Sequence, residues 1–159
     1  LEAEGTSPTT AGLITSMIPL GFLVASFGVG AVSDKIGLRK PLLLILGFVS
    51  GLAIYATGTL PVPAVWFFTF LTGFCTIGVL TLVLTIPVEL KQTTMSVGSA
   101  VGLISSIGNV GSLVIPTVVG QIRDTTESFI WAVILLAILG ETLFILSLPI
   151  AETGRKKRI

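Results

Sequence analysis

The chain has 159 residues, of which 52% are apolar and only 11% are charged, and its mean hydropathy is +1.04. This number of charged residues is too small to give a globule of this length a solvated surface. The composition therefore excludes a water-soluble protein and indicates an integral membrane protein. The net charge is +1 and the cations are clustered, which gives no support for a nucleic-acid-binding face.

Runs of apolar residues predict five transmembrane helices. A helix needs about 20 mainly apolar residues to cross the hydrocarbon core, so the length leaves room for roughly five or six such helices with short loops. The predicted spans are residues 11–32, 41–59, 64–87, 95–119 and 128–149. We therefore expect an all-α integral membrane fold in which residues 1–159 form a single transmembrane region.

The first two spans carry small residues of the kind that let membrane helices pack closely. The first span contains Pro19 and four glycines, which predicts a helix packed against neighbours rather than surrounded by lipid. In the second span, Gly47 and Gly51 lie about one helical turn apart and form one small face.

The third span contains a series of threonines at near-helical spacing. The series is Thr69, Thr72, Thr76, Thr81 and Thr85. Their hydroxyl groups can form a polar face, or each can donate to a backbone carbonyl within its own helix, which is a common habit of threonine in membrane helices.

The fourth span is the least apolar of the five. It has small or polar residues on most turns, including Gly98, Gly102 and Ser106, which predicts a helix inside a bundle. Asn109 lies near mid-membrane and must find a hydrogen-bonding partner or water, because hydrocarbon offers none. We expect residues 121–127 to form a polar loop.

The fifth span contains one charged residue, Glu141, near its middle. Burying an ionised carboxylate there costs roughly a few kcal/mol, so Glu141 is either a proton site or a protonated, hydrogen-bonded structural residue. The chain has no histidine, and its one cysteine, Cys75, lies in an apolar run without a base beside it. The sequence therefore supports no metal site, no cofactor and no enzyme activity.

A charged run at residues 30–40 interrupts the apolar sequence, and we expect it to be a loop between the first two spans. It reads Gly, three small or apolar residues, Asp, Lys, Ile, Gly, Leu and two cations. This order resembles the loop signature of major facilitator superfamily transporters. The matching residues are Gly30, Asp34, Lys35, Gly37, Arg39 and Lys40. Leu38 departs from the signature, which usually has a first Arg or Lys there.

Two more segments carry the resemblance. Residues 148–154 resemble the family's usual ending after its last helix, and residues 87–90 and 108–120 resemble a loop and the penultimate helix of its second half. The resemblance covers nearly the whole chain. It implies that the five spans correspond to the eighth to twelfth helices of a twelve-helix transporter, an incomplete six-helix half, with the earlier helices absent from this sequence.

The resemblance also implies roles for individual residues. Asp34 would contribute to a latch between the two halves, and the run can also act as a topology signal with Asp34 capping its own helix turn, since the two roles are not exclusive. Thr76, Ser105 and Asn109 would line the transport cavity, with hydrogen bonding between helices as the alternative. The family's plan argues against proton coupling at Glu141, since the last helix of each half is peripheral.

The distribution of cations predicts the orientation. Eight of the nine lysines and arginines fall on the side of residues 30–40, and only Arg123 falls on the other. Lysine and arginine are enriched in short loops on the cytoplasmic side of a membrane. We therefore expect the amino terminus outside and the carboxy terminus in the cytoplasm. The membrane is expected to be the cell membrane.

These observations predict the carboxy-terminal portion of a secondary transporter for a small solute or ion. Alternating access requires two repeats around a site at the bilayer midplane, so this portion should not transport alone. Its expected partners are the substrate, the lipid bilayer and an amino-terminal half. The alternative is a non-transporting membrane fragment, or an assembly partner of a separately encoded half.

Overall fold

A computed structural model of the chain describes residues 7–89, 96–150 and 152. Within these residues the secondary structure is entirely helical. The helices are α1 (Pro8–Thr15), α2 (Met17–Ile36), α3 (Lys40–Thr59), α4 (Val62–Glu89), α5 (Val97–Thr126) and α6 (Ile130–Ser147). Five segments are long and apolar enough to cross a membrane when α1 and α2 are taken together as Pro8–Ile36. The predicted all-α membrane fold with five spans is confirmed.

The first span is interrupted at Ser16, between α1 and α2. Pro19 has no backbone N–H, so it cannot donate to the carbonyl of Thr15 as a residue of a continuous helix would. At the other end, Ser7 caps α1 by accepting a hydrogen bond from the N–H of Thr10 at 3.2 Å. The proline thus divides one span into a short and a long helix.

The loop after the first span is much shorter than the eleven residues that we expected. Residues 30–36 belong to α2, and only residues 37–39 separate it from α3. Gly37 ends α2 with φ of 70°, and its N–H donates to the carbonyl of Ser33 at 2.9 Å. The prediction was wrong because charged residues, among them Asp34, occupy the last turn of the helix rather than the loop.

The fourth span also continues further than predicted. Residues 121–126, expected as a loop, are the last turns of α5, and Glu127 follows with φ of 53°. The hydroxyls of Thr125 and Thr126 donate to the backbone carbonyls of Gln121 and Ile122 at 2.9 and 2.7 Å, so both are bonded within the helix. The 30 residues of α5 give a length of about 45 Å, enough to extend beyond the hydrocarbon core.

Glycines set the two closest helix contacts. A Cβ at Gly73 of α4 would lie 2.9 Å from the Cα of Ile18, so α2 and α4 approach too closely for a side chain there. A Cβ at Gly140 of α6 would lie 2.9 Å from the Cα of Gly51 on α3. Gly47 packs against the backbone of Phe144, which confirms the predicted small face of the second span.

The core lies where α2, α3 and α4 meet. Its buried members are Ala25, Val29, Leu43, Leu46, Cys75, Val79 and Leu82. By contrast, no residue of α5 is buried by the other described residues. The expectation that the fourth span lies inside the bundle is therefore wrong for the described helices, because its small and polar face has no neighbour among them.

Candidate functional site

Arg39 joins the ends of two helices beside the short loop. Its side chain is only 11% exposed. The guanidinium donates to the hydroxyl of Ser33 at 2.6 Å and to Oδ1 of Asp34 at 2.6 Å, both on the last turn of α2. It also donates to Oε1 of Glu89, the last residue of α4, from Nη2 at 2.8 Å and from Nε at 3.2 Å.

The carboxylate of Glu152 adds a third segment to this contact. Its Oε1 accepts from the backbone N–H of Arg39 at 2.7 Å, and its Oε2 accepts from that of Lys40 at 3.2 Å. The first N–H groups of a helix have no partner inside it and carry partial positive charge, so Glu152 caps α3 from the far end of the chain. The ammonium of Lys40 donates to the carbonyl of Leu148 at 2.6 Å. We refer to Ser33, Asp34, Arg39, Glu89 and Glu152 as the Arg39 cluster.

The charged groups of the Arg39 cluster differ in their exposure and in how many hydrogen bonds they make. The hydrogen bond to Glu89 raises the pKa of Arg39, against the opposing effect of burial, and Asp34 acts in the same direction, so the guanidinium stays cationic. Oε2 of Glu89 is buried and has no hydrogen-bonding partner among the described residues. The Asp34 side chain is 69% exposed. A cavity of about 240 Å³ is lined by Asp34, Arg39 and Glu89, together with Ser33 and Gly37.

The structure brings together four of the six residues of the predicted loop motif. Asp34 and Arg39 are paired, Gly37 lines the cavity beside them, and Lys40 contributes its backbone N–H. Lys35 is exposed on the last turn of α2, and Gly30 lies on the same helix with open space where a Cβ would be. Asp34 accepts from Arg39, a contact different from the capping of its own helix turn.

Sequence reasoning missed three members of the cluster as site residues. Glu89 and Glu152 were noted only as parts of segments that resemble a family, and Ser33 was not singled out. A carboxylate that immediately follows an apolar span, as Glu89 does, is the one local signal that could have found it. The partners lie 50 and 113 positions from Arg39, so spacing alone could not pair them.

The predicted cavity residues are exposed. The hydroxyl of Thr76 donates to the carbonyl of Thr72 at 2.8 Å, and Thr81 and Thr85 donate in the same way to carbonyls four positions earlier. The interpretation that threonines bond within their own helix is confirmed for these residues. Ser105 and Asn109 are exposed on α5.

Glu141 lies in the contact between α3 and α6. Its carboxyl group packs against Gly51, whose missing side chain leaves the space it fills. Oε1 is buried and has no hydrogen-bonding partner among the described residues. A groove of about 310 Å³ beside it is lined otherwise by uncharged residues of the two helices, including Tyr55 and Thr142.

A family model described as Major Facilitator Superfamily matches residues 2–158, nearly the whole chain. The chain belongs to the major facilitator superfamily. Members of the superfamily are transporters that carry small-molecule substrates across membranes, rather than enzymes. A search of curated proteins and a search of solved structures return no match. In a superfamily member, the Arg39 cluster is a candidate for a role in the conformational cycle of transport.

Proposed function

We propose that the chain is the carboxy-terminal part of a secondary transporter of the major facilitator superfamily, which moves a small solute by alternating access. The five spans correspond to the eighth to twelfth helices of a twelve-helix transporter, and residues 1–159 form one transmembrane region. The order of features supports this correspondence. The signature run lies at the end of the first span, and Glu152, which follows the last span, accepts hydrogen bonds from the backbone of Arg39 and Lys40 in that run.

Transport by alternating access needs more helices than these five. In such transporters two repeats rock about a substrate site between them near the bilayer midplane. The described helices form part of one wall, and the exposed small and polar face of α5 is suited to meet another bundle. We infer that the five helices transport only together with further helices and are inactive alone.

The Arg39 cluster carries this proposal. Arg39 holds the ends of α2 and α4 together, and Glu152 attaches the segment after α6 to the start of α3. These hydrogen bonds therefore hold α2, α3, α4 and the segment after α6 together at one end of the bundle. The exposed carboxylate of Asp34 remains accessible to a cationic group or a helix N-terminus of the other half, so it can form a latch that must open in each cycle.

The cations support an orientation with this end in the cytoplasm. Lys35 and Lys40 lie beside Arg39 of the cluster, whereas Arg123 lies near the end of α5, at the other end of the bundle. Lys91 and the basic residues at 155–158 would add to the cytoplasmic set, but they lie outside the described residues. This orientation is tested by replacing Lys35 with cysteine and measuring whether the thiol is accessible from the cytoplasmic side.

Solute uptake tests the proposed function. Cells would express residues 1–159 alone or within the longest reading frame that contains them, and metabolite uptake would be compared by mass spectrometry. We expect uptake only with the longer protein, and a loss of it for Arg39→Gln. Uptake by residues 1–159 alone would refute the need for a second wall. No uptake with either protein would favour a non-transporting membrane fragment.

A further inference from the structure

A second cavity lies at the end of the bundle opposite the Arg39 cluster. It occupies about 620 Å³ between the starts of α2, α4 and α6 and the end of α3. Its inner wall includes Val65 and Thr69, which are 1% and 4% exposed, and its mouth includes Phe129 and Ile130, which are half exposed. This volume is within the range of about 300–1,000 Å³ typical of small-molecule sites, and the walls are mainly apolar, as such sites require.

The inner wall contains a buried hydroxyl that has no partner in the part of the chain that the structure describes. Thr72, Thr76, Thr81 and Thr85 on the same helix each donate to the carbonyl four positions earlier. Thr69 differs, since its hydroxyl is buried and has no hydrogen-bonding partner among the described residues. Buried hydroxyl groups are normally bonded, so this donor is available to a ligand in the cavity.

The mouth of the cavity is acidic and aromatic. Among the described residues, Glu127 is the one charged residue in its lining, and its N–H donates to the carbonyl of Arg123 at 2.8 Å, which fixes its backbone at the end of α5. The guanidinium of Arg123 lies 5.2 Å from the centre of the Phe129 ring and 3.8 Å from Asp124. Residues 123–127 therefore place two carboxylates and one guanidinium near the mouth, and the Phe129 ring already contacts a cation.

We propose that this cavity binds an amphipathic organic cation. The apolar body of the ligand packs against the walls, a carbonyl or ether oxygen accepts from the hydroxyl of Thr69, and the ammonium group lies at the mouth beside Glu127. The site is separate from the latch. Binding there is an equilibrium property of the five helices, so it can be measured without transport and does not depend on the function proposed above.

Benzoylcholine is a suitable probe, because it combines a phenyl ring, an ester carbonyl and a quaternary ammonium group. Binding of the labelled compound would be measured by equilibrium dialysis with the chain in lipid nanodiscs, after subtraction of binding to empty nanodiscs. We expect saturable binding that is about tenfold weaker in Thr69→Val, from loss of a buried hydrogen bond. Thr76→Val, on the same helix but outside the cavity, is the matched control and should bind as the parent does.

The charge at the mouth has its own test. Glu127→Gln should weaken binding about two- to fivefold at low salt, as expected for an exposed charge, and the difference should vanish in high salt. Asp124→Asn removes a neighbouring charge outside the lining and should have a smaller effect. The carbon isostere of benzoylcholine, which lacks the positive charge, should bind equally to the parent and to Glu127→Gln.

Two results would overturn the proposal: the absence of saturable binding, and equal binding by the parent and Thr69→Val. If Thr69→Val loses helicity by circular dichroism, Ile54→Phe provides a second variant, since it reduces the cavity from the wall formed by α3. Unchanged affinity in folded Ile54→Phe would place the probe elsewhere and refute the site.

Discussion

Replacement of Arg39 by glutamine should destabilise the bundle much more than replacement of Asp34 by asparagine. The difference follows from burial of the partners. Arg39 is 11% exposed and Glu89 is 20% exposed, so loss of the guanidinium leaves a mostly buried carboxylate with fewer hydrogen bonds. Asp34 is 69% exposed, so water can solvate both groups of its ion pair with Arg39.

These exposures set the magnitudes. Removing one partner of a buried ion pair costs about 3–5 kcal/mol, and we take the lower end, about 3 kcal/mol, for Arg39→Gln because its site borders water. Glu89→Gln retains one acceptor oxygen and should cost about 2 kcal/mol. An exposed ion pair contributes about 0–1 kcal/mol, which is the expected cost of Asp34→Asn.

The assay is equilibrium unfolding of the chain in bicelles by increasing SDS, followed by circular dichroism. The expected order of lost stability is Arg39→Gln, then Glu89→Gln, then Asp34→Asn. A cost for Asp34→Asn equal to that for Arg39→Gln would refute the assignment of Glu89 as the main partner. Additive costs in the double variant of Arg39 and Glu89 would likewise show that the two residues are not coupled.

Three further predictions use the same unfolding assay. Gly73→Ala should cost about 1–3 kcal/mol because its methyl group would meet the backbone of Ile18, while the control Gly28→Ala, with open space at its Cβ, should be neutral or slightly stabilising. Thr69→Val should preserve stability or raise it by about 1 kcal/mol, since it removes a buried hydroxyl without a described partner; a clear loss would reveal a partner for that hydroxyl. Glu141→Gln should cost less than about 1 kcal/mol, since glutamine keeps the shape that fills the space beside Gly51 and no described partner of Oε1 is lost, and unchanged proton uptake by a transporter containing it would exclude proton coupling there.

The membrane class and the number of spans could be predicted because hydropathy is a local property of the sequence. Helix ends could not be predicted equally well. A run of charged and polar residues was interpreted as the end of a span, yet Asp34 and Lys35 lie in the last turn of α2, and residues 121–126 continue α5. In the structure α2 ends at Gly37, which adopts the left-handed conformation that commonly ends a helix.

The candidate site was predicted in part. The order of residues in the charged run singled out Asp34 and Arg39, which the structure pairs. It could not reveal Glu89 or Glu152, because their contacts with Arg39 arise from helix packing over long separations in sequence. Thr69 was equally hidden, since nothing in its spacing distinguishes it from the threonines that bond within their own helix.

Solute uptake by Asp34→Asn tests the proposed latch most directly. If Asp34 serves only stability, a variant that costs less than about 1 kcal/mol should transport normally. If Asp34 forms a latch with the other half, uptake by the transporter that contains this chain should fall by about tenfold or more, although the protein remains folded and in the membrane. Normal uptake by the folded variant would contradict the latch.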